Sequence, residues 1–96
     1  LITSLKNDSN PAVRKAALEA LKNYSYDNEI RDAILYVLSN DTNSGLRVNA
    51  INALAGLKIA GISIDDKIKN ALNNRIINEE NGFIKYRAAT LLKGEE

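Results

Sequence analysis

The sequence has no Cys, His, Met or Trp, a single Pro, five Gly and, as aromatics, four Tyr and one Phe in 96 residues. Each absence removes a class of chemistry. Without Cys there is no disulfide, no thiolate nucleophile and no thiolate metal ligand. Without His there is no imidazole ligand, no Ser-His or Cys-His nucleophile system, and not the commonest general acid-base. Most enzyme classes and the thiolate and imidazole metal sites go with them, and no catalytic, metal-binding or cofactor-binding residue is assigned. The absence of Met leaves no initiator, so the chain reads as a fragment of a longer protein, with any signal or anchor segment lying upstream. No apolar run approaches the ~20 residues that span a bilayer, and the stretch 59–64 is broken by Gly61, so no membrane contact is expected from this segment. Charge of neither sign dominates: 13 Lys and Arg face 12 Asp and Glu, for a net charge of +1. That balance lacks the continuous basic stripe of a nucleic-acid binder, and no nucleic-acid partner is expected. The length fits one globular domain.

What the chain does have is internal repetition, the first property to test in a sequence of this kind. The segment from Asn7 to Leu21 recurs 33 residues later from Asn40 to Leu54, and again, after a further 38, from Asn78 to Leu92. The five-residue excess falls between the second and third copies, and the apolar, Gly-containing stretch from Gly56 to Ile64 is the place for it, as a loop or as a helix extension followed by one. The segments ahead of each copy also align: Leu1, Ile2 and Leu5 with Ile34, Leu35 and Leu38, then Ile30, Ile34 and Leu38 with Ile68, Leu72 and Ile76. Each unit therefore holds two runs, A and B, and the first unit carries only the end of its A run.

Both runs have helical rather than strand periodicity. Val13, Ala17, Ala20 and Leu21 recur at spacings of three and four, as do Ile30, Ala33, Ile34, Val37 and Leu38. Asn10, Asn43 and Asn81 form one aligned column ahead of the B runs, where an Asn side chain accepts from an orphan N–H of the first turn. Pro11 follows at the first helical position, where a missing N–H costs nothing. Asp27 and Asp65 form a second capping column ahead of the A runs, against the positive end of the helix dipole. The expected fold is all-α: an α-solenoid of antiparallel helix pairs with about two and a half to three repeats and right-handed stacking. Its expected divisions are a truncated first repeat over 1–24, a second over 27–56, an insertion loop over 57–64 and a third repeat over 65–94.

These residues resemble the HEAT and HEAT-like repeats, whose mark is a turn with Asp, an Asn-Pro-like cap, an apolar residue followed by Arg, and an Ala-rich second helix. The pattern reads Asp8, Pro11, Val13-Arg14 and Ala17 in the first copy, Asp41, Leu46-Arg47 and Ala50 in the second, and Glu79, Ile84-Lys85 and Ala88 in the third. Ser44 and Gly82 stand where Pro is usual, and the third copy has Glu for Asp and Lys for Arg. The resemblance implies a non-catalytic module for protein–protein interaction or scaffolding. The run Tyr26-Asp27-Asn28-Glu29-Ile30-Arg31 is also similar to the C-terminal HEAT-like domains of bacterial proteins that carry a zinc-finger anti-sigma segment and a membrane helix at their other end. That likeness implies, as an alternative, a sensory or regulatory domain of a membrane-associated regulator. HEAT-like lyases and DNA-repair glycosylases form a third class, but the latter need clustered aromatic and basic groups and a catalytic carboxylate. The Asn, Ile and Lys content suggests a bacterial source, and the lack of Cys fits either a cytoplasmic protein or the soluble part of a membrane-anchored one.

The recurrent charged columns are Asp8, Asp41 and Glu79 with Arg14, Arg47 and Lys85. Recurrence in every unit marks them as a structural ladder, in which an acid in the turn meets a base one helical turn into a B helix, within a unit or across to its neighbour. The residues that point away from the A helices on a helical wheel are Lys15 and Glu19, with their aligned mates Val48, Asn52, Tyr86 and Thr90. These six form the candidate protein-binding face, expected to be concave and suited to a protein or peptide partner anchored on an aromatic. Tyr24 and Tyr26 are expected to lean on the core edge with their hydroxyls in water. In the insertion, Leu57, Ile59, Ile62 and Ile64 either pack over a helix pair or form an exposed patch. Leu1, Ile2 and Leu5 are expected at an uncovered N-terminal edge that contacts further repeats or a second copy.

Overall fold

The computed structural model describes residues 1–94. They form six α-helices: α1 (Ile2–Asn7), α2 (Pro11–Ala20, continued by a 3-10 turn at Leu21–Asn23), α3 (Asn28–Asn40), α4 (Ser44–Ile59), α5 (Asp66–Asn78) and α6 (Gly82–Lys93). No strand occurs among the described residues. Consecutive helices pack as pairs, α1 with α2, α3 with α4 and α5 with α6, and the pairs stack so that α1, α3 and α5 make one layer and α2, α4 and α6 the other. The result is a slab of 36 × 30 × 17 Å, two helices thick.

Each B helix begins where its Asn column lies. Asn10 Oδ1 accepts from the N–H of Ala12, Asn43 Oδ1 from Leu46 and Asn81 Oδ1 from Ile84. Asp27 and Asp65 accept in the same way from Ile30 and Ile68 at the starts of α3 and α5. Pro11 sits in the first turn of α2.

Two corrections concern the core and the insertion. Leu5, placed by sequence at an uncovered edge, is fully buried, because α1 is long enough to lay its last turn against α2 and α3. Only Leu1 is half exposed there. The stretch 57–64, given the bounds of a loop, takes the other form open to it, a helix extension followed by a loop: it is helical as far as Ile59 and only then turns. The stop is a Schellman arrangement, with Ile62 N–H donating to Leu57 O and Gly61 N–H to Lys58 O. Gly61 takes φ +90°, a left-handed conformation that a side chain would strain. The insertion's apolar residues then divide: Ile64 is buried, Leu57 and Ile62 are partly covered, and Ile59 is exposed.

The central pair, α3 and α4, is covered on both sides, and Val37, Leu38, Ala50, Ile51 and Leu54 lose essentially all contact with solvent. The buried column Ala17, Ala50 and Ala88 keeps the side chains small where the helices are closest. Aligned positions lose burial at the two ends of the stack. Val13 is 38% exposed where its mates Leu46 and Ile84 are buried, and Ala89 is exposed where its mates Leu18 and Ile51 are buried. Ile51→Ala is therefore expected to cost about 2–5 kcal/mol by opening a cavity between repeats. Ala89→Leu in the same column is expected to leave stability within about 0.5 kcal/mol of wild type. Urea unfolding followed by circular dichroism measures both.

Candidate binding surface

The ladder runs between repeats. Arg14 forms a two-pronged contact with Asp41 of the next unit, Nε to Oδ2 at 2.9 Å and Nη2 to Oδ1 at 3.0 Å. Arg47 does the same with Glu79, both bonds at 2.9 Å. The remaining Nη1 of each guanidinium donates to a carbonyl of its own turn, Asp8 O for Arg14 and Asp41 O for Arg47. The acids serve twice, since Asp41 Oδ1 also accepts from Asn43 N–H and Glu79 Oε2 from Asn81 N–H. At the ends the column is open. Asp8 accepts only from Asn10 N–H, and Lys85 is exposed and forms no ion pair among the described residues.

Three further arginines join the lattice that the repeated columns did not single out. Arg31 bonds Asp32 within α3 and reaches Asp65 of the next repeat at 3.1 Å. Arg75 donates to Leu38 O and Ser39 O at the end of α3 and lies 3.3 Å from Glu79. Arg87 donates to Asn52 Oδ1. The signal for Arg31 was present in its aligned mate Lys69; Arg75 aligns with Val37 and gave none.

The ladder sets the titration of Glu79. Burial alone pushes its carboxyl up, but hydrogen bonds from Arg47 and from Asn81 N–H, with the charges of Arg47 and Arg75, hold it below the ordinary Glu range. Arg47 is raised in return, chiefly by that hydrogen bond.

The six residues of the expected binding face fall on the outer side of the α2, α4 and α6 layer in unequal states. Lys15 and Glu19 are exposed, with no side-chain partner among the described residues. Tyr86 is 70% exposed. Val48 packs against the core, Thr90 Oγ1 donates to Tyr86 O, and the Asn52 carbonyl oxygen is taken by Arg87.

The face has relief that the sequence did not announce. Between α2 and α4 lies a groove of about 560 Å³, mainly apolar, with Leu18, Leu21, Ile30, Ile34, Ala53 and Leu57 in its lining and Glu19, Lys22, Asn49 and Asn52 among its polar neighbours. At this end the second repeat is longer: α2 and its 3-10 turn stop at Asn23, whereas α4 runs on from the aligned Gly56 through Leu57 to Ile59, which adds Leu57 to the wall. On its other flank the extension is secured, since Lys58 Nζ donates to Leu91 O near the end of α6. Tyr24 and Tyr26 close the end of the groove. Tyr24 is exposed, but Tyr26 departs from expectation: its hydroxyl is buried without a hydrogen-bond partner, and burial first, then the charge of Asp65, pushes its pKa up.

Stacked antiparallel helix pairs, tied by a recurrent base–acid contact, define an all-α solenoid repeat domain. The profile of the HEAT repeats matches residues 1–93, and the chain belongs to that family. HEAT repeats generally mediate protein–protein interaction, and the fold is generally a non-enzymatic scaffold. No match is found among curated proteins or among solved structures. No helix of the described residues is long and apolar enough to cross a membrane, and no group of three or more Asp or Glu among them could hold a metal ion.

Two tests follow from this geometry. Glu79→Gln strands Arg47 and is expected to cost on the order of 3 kcal/mol at neutral pH. Because the folded Glu79 binds its proton less tightly than the unfolded one, its contribution is present above the unfolded pKa and is lost as pH falls through the lower folded pKa. The difference between wild type and Glu79→Gln should therefore shrink as pH drops below about 4, in denaturant melts across pH. Tyr26→Phe removes a hydroxyl that bonds to nothing, so the melting temperature is expected to stay level or rise.

Proposed function

We propose that this domain is a non-catalytic docking module that holds a protein or peptide segment along the outer side of the α2, α4 and α6 layer, with an apolar anchor in the groove between α2 and α4. The groove carries this reading. It is a mainly apolar depression bordered by Glu19 and Asn52 of the candidate face, and large enough for one or two side chains of a partner. Peptide recognition commonly combines one such anchor with a polar rim that fixes register. Lys15, Glu19 and Lys22 supply unspent polar groups, and Tyr86 an exposed aromatic farther along the layer. The sequence argues in the same direction, since a chain without His and Cys has few routes to acid-base or nucleophilic chemistry.

Gly56 offers a clean test. It lies in α4, lines the groove, and has no atom within 4 Å of where a Cβ would stand. Gly56→Leu is expected to fill the groove while improving helix propensity by about 0.5–1 kcal/mol, so it should fold at least as well as wild type. Peptides selected from a random display library on the wild-type domain should shift the amide resonances of Leu18, Ala53 and Leu57. They should lose at least about tenfold in affinity, some 1.4 kcal/mol, on Gly56→Leu. The double change Lys15→Glu, Tyr86→Ala should weaken the same peptides without altering the melt. Peptides that bind Gly56→Leu as well as wild type, or a selection that yields none, would remove the groove from the reading.

A further inference from the structure

The near-neutral total conceals a separation of charge. α2 with its 3-10 turn, α4 and α6 carry eight of the 13 basic residues and one acid, Glu19, while every other described side-chain carboxylate lies in a turn or on an A helix. Of those bases, Arg14 and Arg47 are neutralised by Asp41 and Glu79, and Lys58 is held at Leu91 O. Lys15, Lys22 and Arg87 meet no carboxylate among the described residues, and Glu19 meets no base.

These groups gather around the groove. Lys22 lines it, and Lys15 lies about two helical turns earlier on the same side of α2, next to the lining residues Leu18 and Glu19. Arg87 comes from the opposite flank of α4: its Nε and Nη2 donate to Asn52 Oδ1, and Asn52 itself lines the groove. All three bases border α4, the middle helix of the layer, at junctions inside the stack, so repeats added before or after would leave them in place. An apolar groove thus has three cations at its rim against a single carboxylate.

Resting on the groove reading, we infer that the segment docked there is acidic: an apolar anchor residue flanked by Asp or Glu, whose carboxylates meet Lys15, Lys22 and Arg87. Charge complementarity selects this occupant. A basic segment would bring like charge to all three bases and find one acid, and like charges across an interface cost affinity. A neutral segment would gain the anchor alone. A nucleic acid puts its charge in a continuous row rather than around one apolar group. It would also run beyond a layer bordered by acids, Asp8, Asp41 and Glu80 along one edge and Asp27, Glu29 and Asp66 along the other. Glu19, between Lys15 and Lys22 on α2, lowers the positive field that the segment meets.

Fluorescence anisotropy with three synthetic peptide pools tests the inference. The pools share a central Leu or Phe and differ in their flanks, randomised over Asp and Glu, over Asn and Gln, or over Lys and Arg. At low salt the acidic pool should bind about fivefold tighter than the neutral one and the basic pool most weakly, the spread that a few exposed charge pairs supply. Raising the salt from about 50 to 300 mM should close most of the gap between the acidic and neutral pools. Glu19→Gln should tighten binding of the acidic pool, and Lys15→Glu combined with Lys22→Glu should reverse the order of the acidic and basic pools. All three side chains are exposed, so each variant should melt as wild type does. Gly56→Leu reports on the groove separately and should weaken every pool that binds, whatever its flanks. Acidic and neutral pools that bind alike, both still sensitive to Gly56→Leu, would leave the groove standing and overturn the inference. An acidic preference that survives the paired lysine changes would overturn it as well, and so would a mixed-sequence DNA duplex that binds more tightly than the acidic pool. Indifference of every pool to Gly56→Leu would instead remove the groove, and the inference with it.

Discussion

The Arg47 to Glu79 contact, with its counterpart from Arg14 to Asp41, is the constraint on which the arrangement of repeats depends. A guanidinium is planar and its donors are fixed in direction, so a fork onto a carboxylate leaves little freedom in how two units sit together. Here the same guanidinium also bonds the carbonyl of its own turn, and the same carboxylate also caps the turn of the next helix pair. One contact thus couples the end of one A helix, the start of its B helix and the corresponding turn of the following unit. Its value lies less in net stability, since a buried ion pair gives back most of its attraction as desolvation, than in the register it imposes. Leucine and isoleucine stripes alone would tolerate a slip of one helical turn, whereas Glu79, buried and ionised, has a partner in only one register.

With register fixed, helix length becomes the variable that shapes the surface. Of the five residues inserted after the second B run, three lengthen α4 through Leu57 to Ile59, and the other two lengthen the turn in which Gly61, with its left-handed backbone, lets the chain reverse. The overhang of α4 beyond α2 leaves an apolar wall with a neighbour on one flank and a groove on the other, while Lys58 keeps the extension in place. The longer α4 adds Leu57 to the wall of a depression whose other walls, Leu18 and Leu21 of α2 and its turn and Ile30 and Ile34 of α3, lie in the regular part of the stack.

The repeated part of this structure was legible because each repeated column has a local physical reason. Asn and Asp before a helix accept the orphan N–H groups, Ala permits close approach, and an acid and a base at fixed offsets reach each other; three copies expose such columns even without relatives for comparison. What was not legible is what depends on difference between the copies. Nothing in the spacing says that Leu57 to Ile59 stay helical, since apolar residues followed by Gly suit a helix end and a loop alike. The engagement of Asn52 by Arg87 was hidden because the mates of Arg87 are Ala16 and Asn49, so no charged column marked it. The buried hydroxyl of Tyr26 was hidden as well, because its fate is decided by how the loop after α2 folds back over α3, and the sequence pattern does not specify that path.

The two ends of the stack show the same logic applied to a boundary. A solenoid repeat is stable because a neighbour covers each of its broad faces, so terminal units must replace apolar columns with polar ones or leave them uncovered. The third repeat does some of both. Asn73 occupies the column of Ile2 and Leu35, and Ala89 that of Leu18 and Ile51, which trims its outer face, while Ile77 and Phe83 remain exposed. In the first repeat Leu1 and Val13 are exposed, and Asp8 holds the place of the ladder's acid. Its Oδ1 caps the Asn10 N–H and its charge favours the Arg14 guanidinium, so the acid of this column serves its own unit as well as the one before, as Asp41 does toward both Arg47 and Arg14.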